Sequence, residues 1–581
     1  MKEFDFMASF DDAQNSVRSS IGFIGTGESG GKANSLIKAD EIVKELNIKG
    51  GHSSFVIDIP GFSVIRSDVF DEFMRDNGLY KIALSDADDD RIAYEFQKAD
   101  LPFGILKDLR ELISGAHKPL AVRSSSLLED AKFEPFAGIY ATKMLPNNQF
   151  DVDERCRKLF EAVKLIYASA FFKAPKDYMK ATGHDIRDEK MAVIIQEVIG
   201  RKHDERFYPD ISGVARSYNY YPMGRSKPED GVADLAVGLG KTIVDGGLCW
   251  TYSPADPEQS PPFGSVDDML KNTQTKFWHI RMSEPEEYDP IRETEFMSRA
   301  DLITAEKDSS ISFSASTVSE SGRVSPGVGS DGPRIINFAP VLKLELLPLN
   351  DIIKDLLKIC EEKFSTPVEI EFAVTTSGEG YDATGRFGFL QVRPMVVSNE
   401  EVEIADHDFE DEKNLLSSEF VLGNGSSETV SDVVYVKPDI FDAKNTLKIA
   451  REIEKQNDKL SSENKKYLLI GFGRWGSSDS WLGIPVNWGQ ISNVHTIVEA
   501  GLPNMNVELS QGSHFFHNMT SFGVNYFSVP AYYEYEINWE LLKKQKMVSE
   551  SDNVVHAVFK KPLLIKIDGR TGRGYIKSVK K

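Results

Sequence analysis

The run Val368-Glu369-Ile370-Glu371-Phe372-Ala373-Val374 sets two carboxylates at alternate positions in an otherwise apolar segment. Successive side chains of a strand point to opposite faces, so Glu369 and Glu371 share one face. A second run, Gly388-Phe389-Leu390-Gln391-Val392-Arg393-Pro394, follows a glycine-rich turn and repeats the alternation with Gln391 and Arg393. Paired as neighbours, the two strands bring two carboxylates, an amide and a guanidinium onto one surface. Two arrangements satisfy such a surface. One is a salt-bridged strand pair. The other is a site in which carboxylates hold Mg²⁺ and the arginine steadies a transferring phosphoryl group.

A second charged feature lies upstream. Lys118-Pro119-Leu120 leads into Ala121-Val122-Arg123-Ser124-Ser125-Ser126-Leu127-Leu128-Glu129-Asp130. An arginine fork beside serine hydroxyls and backbone N–H groups suits phosphate oxygens. A buried arginine capping a turn, with serines opening a helix, is the alternative. Gly138 and Thr142 follow in Phe136-Ala137-Gly138-Ile139-Tyr140-Ala141-Thr142, where glycine permits close backbone approach to a ligand.

Near the start, Ile21 to Ile24 reads as a strand entering a glycine loop, and Lys32 stands at the head of a helix striped by Ala33, Leu36, Ile42, Val43 and Leu46. Gly25, Gly27 and Gly30 formally match G-x-G-x-x-G, but no suitably placed acidic residue completes a dinucleotide unit. The P-loop pattern is also missed, with Thr26 in the first glycine position and Ala33 in place of Ser/Thr. Ile57 to Ile65 reads as strand, turn, strand, and Ser67 or Asp68 as the cap of the next helix. Residues 88–113 read as a surface helix broken at Pro102-Phe103-Gly104, and Cys156 to Tyr178 as one amphipathic helix. Met191 to Ile199 is a buried strand interrupted by Gln196 and Glu197, whose polar groups need partners. Leu235 to Thr242 ends in Gly-Lys-Thr without the leading P-loop glycine, and Ile243-Val244-Asp245-Gly246-Gly247 reads as a turn, not a helix.

Four of these stretches resemble, in order, the ATP-binding domain of the pyruvate phosphate dikinase and phosphoenolpyruvate synthase family: Gly30-Gly31-Lys32-Ala33, the Arg123 run through Thr142, Gln196-Glu197-Val198, and Glu369 to Pro394. The resemblance implies an α+β fold with an ATP-grasp-like module at residues 21–400, in subdomains of about 21–115 and 116–400. It implies that Lys32, Arg123 and Arg393 act on the phosphates, and that Gly138, Thr142, Gln196, Glu197, Val198, Gln391 and Arg393 contact ATP. Backbone atoms at Gln196-Glu197-Val198 would read the adenine edge. Glu369, Glu371 and Gln391 would hold Mg²⁺. Ser212-Gly213-Val214 also resembles the family, but Arg216 and Lys241 depart from it; Lys241 stands where the family has glutamate. Either that lysine alters the chemistry or it points to solvent.

The family's phosphohistidine motif is not read within these residues, since Gln511-Gly512-Ser513-His514 lacks the small residue that follows the histidine. Residues 428–581 are too few for the family's barrel. The complete dikinase reaction is therefore not expected in one chain. The expectation is an ATP-dependent phosphotransferase whose acceptor lies outside the ATP domain: a phosphohistidine carrier, a small molecule, or the C-terminal domain. The other reading is a non-catalytic, nucleotide-responsive module that regulates a protein partner.

A chain of 581 residues exceeds one core. Residues 1–20 read as a lead-in, Ser309 to Gly332 as a flexible loop or lid, 401–427 as an acidic linker, and 428–581 as a smaller mixed α/β domain in which Arg474, His514 and His517 form a polar site or serve the structure. The formal net charge of −22 argues against a nucleic-acid binder. Three scattered cysteines give neither a zinc site nor a disulfide framework. With no long apolar run and no signal-like start, a cytoplasmic protein is expected. The oligomeric state is left open.

Overall fold

The short segment from Phe55 to Ile65 feeds two different sheets. Phe55–Asp58 runs parallel to Thr384–Pro394, whereas Phe62–Ile65 runs parallel to Ile21–Ile24 and antiparallel to Met191–Glu197. Ile59-Pro60-Gly61 makes the switch, and Pro60 has no N–H to offer a ladder. The expected strand, turn and strand are therefore present, but not as a hairpin. This computed structural model describes residues 21–48, 52, 54–127, 129, 138–220, 222, 226–259, 265–378, 380–395, 397, 402–477, 481–502, 515, 519, 522–531 and 535–578. The expected lead-in lies outside them.

The first sheet has five strands in the order Ile21–Ile24, Phe62–Ile65, Met191–Glu197, Leu120–Ser126 and Thr142–Leu145. Helices Ser67–Asp76, Asp89–Lys98, Phe103–Gly115 and Val152–Ser169 belong to its apolar core. Phe73, Phe96, Tyr167 and Phe171 meet there ring against ring. The helix expected over Cys156–Tyr178 is two, Val152–Ser169 and Lys173–Thr182. The chain turns at Ala170-Phe171-Phe172, so that Phe171 enters the aromatic cluster. Pro175 falls in the first turn of the second helix, where its missing N–H costs no hydrogen bond.

The second sheet has six strands: Trp250–Tyr252, Val232–Ala236, Ile211–Arg216, Val368–Ser377, Thr384–Pro394 and Phe55–Asp58. Its register sets Glu369 opposite Arg393 and Glu371 opposite Gln391, with a bulge between Glu371 and Phe372. Helix Gly30–Ile48 buries Ala33, Leu36, Ile42 and Val43 in this second core, beside Phe387 and Phe389. An antiparallel sheet of Met297–Asp301, Lys276–Arg281, Arg206–Tyr208 and Arg201–His203 is drawn from segments before Ile211–Arg216 and between Trp250–Tyr252 and Val368–Ser377. The expected boundary at 115/116 does not follow the sheets: the first recruits residues up to 197, and the second reaches back to Phe55.

Three further expectations differ. Ser309 to Gly332 holds strands Ala315–Val318 and Val324–Pro326, which form a three-stranded sheet with Arg334–Ile336. Ser314 and Ser316 are fully buried there, so a serine-rich composition misled. Lys241–Val244 is a single helical turn. The acidic stretch 401–427 is only partly a linker: Asn414–Ser418 is buried and pairs with Arg573–Ser578 at the far end of the chain.

The C-terminal unit is the mixed α/β structure expected. Its sheet is parallel through Asn424–Val436, Tyr467–Phe472, Val494–Ala500 and Asn525–Val529, and antiparallel where Val554–Asp568 joins Asn424–Val436. Helix Thr446–Ser462 makes the first crossover, as parallel neighbours require. Among the described residues no helix is long and apolar enough to cross a membrane.

Candidate functional site

Between the first and second sheets lies a cavity of about 260 Å³. Lys32, Arg123, Gly138, Thr142, Gln196, Glu197, Val198, Glu371, Gln391 and Arg393 all line it. Strands alternating in and out project Arg123 from one wall and Glu371, Gln391 and Arg393 from the other.

Arg123 spans the gap. One guanidinium nitrogen donates to Gln391 Oε1 at 2.7 Å. The other donates to Gln196 Oε1 and to the Leu390 carbonyl, both at 3.3 Å. Glu371 Oε2 is 3.7 Å away. Gln196 is buried, and its Nε2 has no hydrogen-bond partner among the described residues.

Lys32 is held from behind. Its Nζ lies 3.0 Å from Glu129 Oε1, and Glu129 also accepts from Ser124 Oγ at 2.9 Å and the Ser126 N–H at 2.9 Å. Ser125 serves the helix instead: its hydroxyl accepts from Ala33 N–H at 3.0 Å and donates to the Ser29 carbonyl at 2.8 Å. The Gly-Gly pair permits this docking. A Cβ at Gly30 would meet the Ser125 carbonyl oxygen at 1.8 Å, and one at Gly31 the Glu129 carbonyl oxygen at 1.7 Å. Gly30 also has φ +79°, open to glycine at no steric cost.

The preceding glycine loop is not a phosphate cradle in this conformation. Asp68 accepts from the Thr26 N–H at 2.8 Å and the Gly27 N–H at 2.9 Å, and Ser67 Oγ accepts from the Glu28 N–H at 3.0 Å. Burial would raise the Asp68 pKa, but these N–H donors outweigh it and hold the carboxyl below its usual range. Ser67 and Asp68 thus clasp the loop; neither caps helix Ser67–Asp76, which has no side-chain cap.

Glu369, expected at the metal, lies outside the cavity lining. Its Oε1 accepts from Arg393 Nε at 2.5 Å and its Oε2 from Arg216 Nε at 2.6 Å. Both oxygens are committed to guanidinium groups, and all three side chains are buried. Glu371 is the carboxylate on the cavity side, with Oε1 3.2 Å from Arg393. Arg216, a departure from the family pattern, therefore completes a buried Arg–Glu–Arg stack. Residue type alone did not indicate that.

The backbone at Glu197 and Val198 is less free than expected for a base-reading hinge. Glu197 N–H donates to the Gly61 carbonyl at 3.0 Å and Val198 N–H to the Pro119 carbonyl at 2.9 Å. Around this end Ala121, Val198, Leu239 and Met297 form an apolar cluster, with Met144 against it.

Lys241 does not point to open solvent. It lines the cavity with Asp245 and Glu293, its Nζ 3.1 Å from Asp245 Oδ2. Burial alone would lower its pKa, but Asp245 and Glu293 outweigh it and raise it; burial raises that of Glu293. Glu129, Tyr140, Asp245 and Glu293 are cavity residues that the sequence reading did not assign. Glu129 was legible as part of the serine run; nothing near Glu293 marks it. Arg474 is buried and reaches the Gly246 carbonyl at 2.6 Å, so it does not stand in an open polar site; His514 and His517 lie outside the described residues.

The family model described as pyruvate phosphate dikinase, AMP/ATP-binding domain matches residues 27–414. A comparison with curated proteins gives no match. The matched segment contains every residue of the cavity wall and spans well over half of the 581 residues. This chain belongs to the pyruvate phosphate dikinase AMP/ATP-binding domain family.

Proposed function

We propose that this protein is an ATP-dependent phosphotransferase that passes phosphate to an acceptor outside the ATP-binding domain. The observation carrying this reading is that Lys32, Arg123, Glu371, Gln391 and Arg393, distant in sequence, line one cavity beside an apolar slot. The base would lie against Met144, Leu239 and Met297, with the polyphosphate toward Arg123 and Arg393. The unpartnered Gln196 Nε2 has a donor to offer the nucleotide. Lys32 would turn from Glu129 toward a phosphate oxygen. Arg123 and Arg393 would gather charge on the transferring group, since such catalysis is chiefly positioning and charge stabilisation.

Among the described residues no group of three or more His, Cys, Asp or Glu side chains is disposed to hold a metal alone. Magnesium commonly uses one or two carboxylates plus phosphate oxygens and water. Glu371 and Gln391 fit that requirement; Glu369, occupied by two arginines, does not. Bound there, Mg²⁺ would neutralise phosphate charge. Glu371 would orient the polyphosphate, and Arg393 would hold Glu371.

A nucleotide-responsive module without turnover is the second reading. Lys241 at the cavity and the Lys32–Glu129 ion pair favour it. Incubation with β- and γ-labelled ATP and Mg²⁺ decides between them. Release or transfer of labelled phosphate, with ADP or AMP formed, supports the phosphotransferase. Tight binding with no turnover in the presence of candidate acceptors overturns it.

A further inference from the structure

The C-terminal unit touches both walls of the nucleotide cavity, in two different ways. It shares a continuous apolar core with the first sheet and its helices: Phe70, Tyr167 and Phe171 lie in the same cluster as Val433, Leu469 and Ile497. Tyr178 of helix Lys173–Thr182 packs on Phe522, their ring centroids 5.2 Å apart, and Phe522 stacks on Trp488. The helices of the first sheet and the C-terminal unit therefore share one packed core. The second sheet belongs to another cluster, built around Phe372, Phe387 and Phe389, which takes in Phe62, Val64, Ala192 and Ile194 from the first sheet but no residue of the C-terminal unit.

A polar link joins that body to the second wall. Arg474, which opens the short strand Arg474–Trp475 just after Tyr467–Phe472, donates to the Gly246 carbonyl at 2.6 Å and the Gly247 carbonyl at 3.2 Å. These carbonyls end the helical turn that carries Lys241, Val244 and Asp245, all three cavity residues. The turn is tightly wound: Gly246 has φ +73°, and Gly247 N–H donates to the Thr242 carbonyl at 2.7 Å. The charge of Arg474 is felt by two buried acids, Glu499 and Asp234, the second of which is the ion partner of Arg216. Arg216 leads back through Glu369 to Arg393 in the cavity. A guanidinium whose nitrogen is fixed on two carbonyls has a defined position, because its planar geometry sets the direction of each donor.

We infer that Arg474 is a positioning residue of the C-terminal unit that holds the Lys241–Asp245 wall of the nucleotide cavity against the opposite lobe. The C-terminal unit is then part of the nucleotide-binding machinery. Arg474 itself does not touch the nucleotide; it sets the width of the cavity at the Lys241 end. This inference rests on the proposed nucleotide reading for its binding arm, but its structural arm stands alone.

The test uses the full chain with Arg474→Met, Arg474→Lys and, on the other side of the contact, Gly247→Ala. A Cβ at Gly247 would meet the Thr242 carbonyl oxygen at 2.7 Å, which displaces the turn without removing a buried charge. Amide hydrogen exchange across residues 241–247 and equilibrium binding of ATP with Mg²⁺ are measured for each. Arg474→Met is expected to speed exchange at 241–247 while Leu120–Ser126 keeps its protection, and to weaken ATP binding about tenfold or more, because only the fraction of molecules with the Lys241–Asp245 wall in place binds. Arg474→Lys should restore part of the protection, and Gly247→Ala should weaken binding as Arg474→Met does. Unchanged exchange at 241–247 in a folded Arg474→Met protein overturns the inference. If Arg474→Met does not fold, native affinity in Gly247→Ala overturns it. If the wild-type chain binds no ATP, the functional proposal fails and the exchange arm still decides the role of Arg474.

Discussion

Arg123 and Gln391 meet at 2.7 Å across a gap between two sheets that share no strand. The contact joins residues 268 positions apart, from separate apolar cores. It is a polar bridge in the wall of a cavity, where a ligand with its own oxygens can replace one acceptor by another. That exchangeability distinguishes it from Glu369 and Arg216 beneath, which lie outside the cavity lining and are buried against one another.

Replacing Arg123 tests the bridge. Arg123→Met removes donors to Gln391, Gln196 and the Leu390 carbonyl. ATP affinity should fall about 10- to 100-fold, the range for losing hydrogen bonds to charged groups. Titration with ATP and Mg²⁺ measures it; an unchanged dissociation constant would remove Arg123 from the site.

The two glutamates of Val368–Ser377 should separate stability from activity. Glu369→Gln leaves Arg393 and Arg216 buried without their shared anion, at a cost of about 3–5 kcal/mol. Chemical denaturation reads that loss. Glu371→Gln, at the cavity, should lower Mg²⁺-dependent activity about tenfold or more with little change in unfolding. The reverse pattern would reassign the two residues.

Gly31→Ala should act on fold and site together. Its Cβ would lie 1.7 Å from the Glu129 carbonyl oxygen, so the start of helix Gly30–Ile48 must back away from Glu129, just past the strand that carries Arg123. Overpacking of this kind costs about 1–3 kcal/mol. Lys32 would leave Glu129 with it. A protein with wild-type unfolding midpoint and ATP affinity would contradict the docking described here.

Stability should depend on pH through Glu499. Burial pushes its pKa from 4.5 up to about 7, against hydrogen bonds from Tyr526 and Trp475 and the charge of Arg474. The unfolded chain releases this proton near 4.5 while the folded chain keeps it until about 7. The folded state binds more protons in that window, so stability falls as pH rises through it and is level above. The loss is at most roughly 3 kcal/mol. Glu499→Gln should flatten the slope in urea denaturation across the window; an unaltered slope would show that Glu499 titrates normally.

Much of this site was legible from residue order. Alternation placed Glu371, Gln391 and Arg393 on one face, because a strand's period of two depends on nothing beyond the strand. The Gly30-Gly31-Lys32 loop was legible as the family's lysine loop, but not that its glycines make room for the backbone of Ser125 and Glu129. Cavity residues such as Glu293 carry no local signature, since what makes them wall residues is a contact from another part of the chain.

What the sequence determined by itself is therefore local: strand faces, helix stripes, tight turns, and which charged groups each strand carries. Only the tertiary structure decided which charges are spent. Glu369 and Glu371 are equivalent in the alternation, yet one is locked between Arg393 and Arg216 and the other faces the cavity. The difference arises because Ile211–Arg216 pairs beside Val368–Ser377, bringing Arg216 opposite Glu369. The same holds for the acidic stretch near 414, buried by a partner strand more than 150 residues later. Burial and pairing are properties of neighbours, and distant neighbours are chosen by the packing of the whole chain.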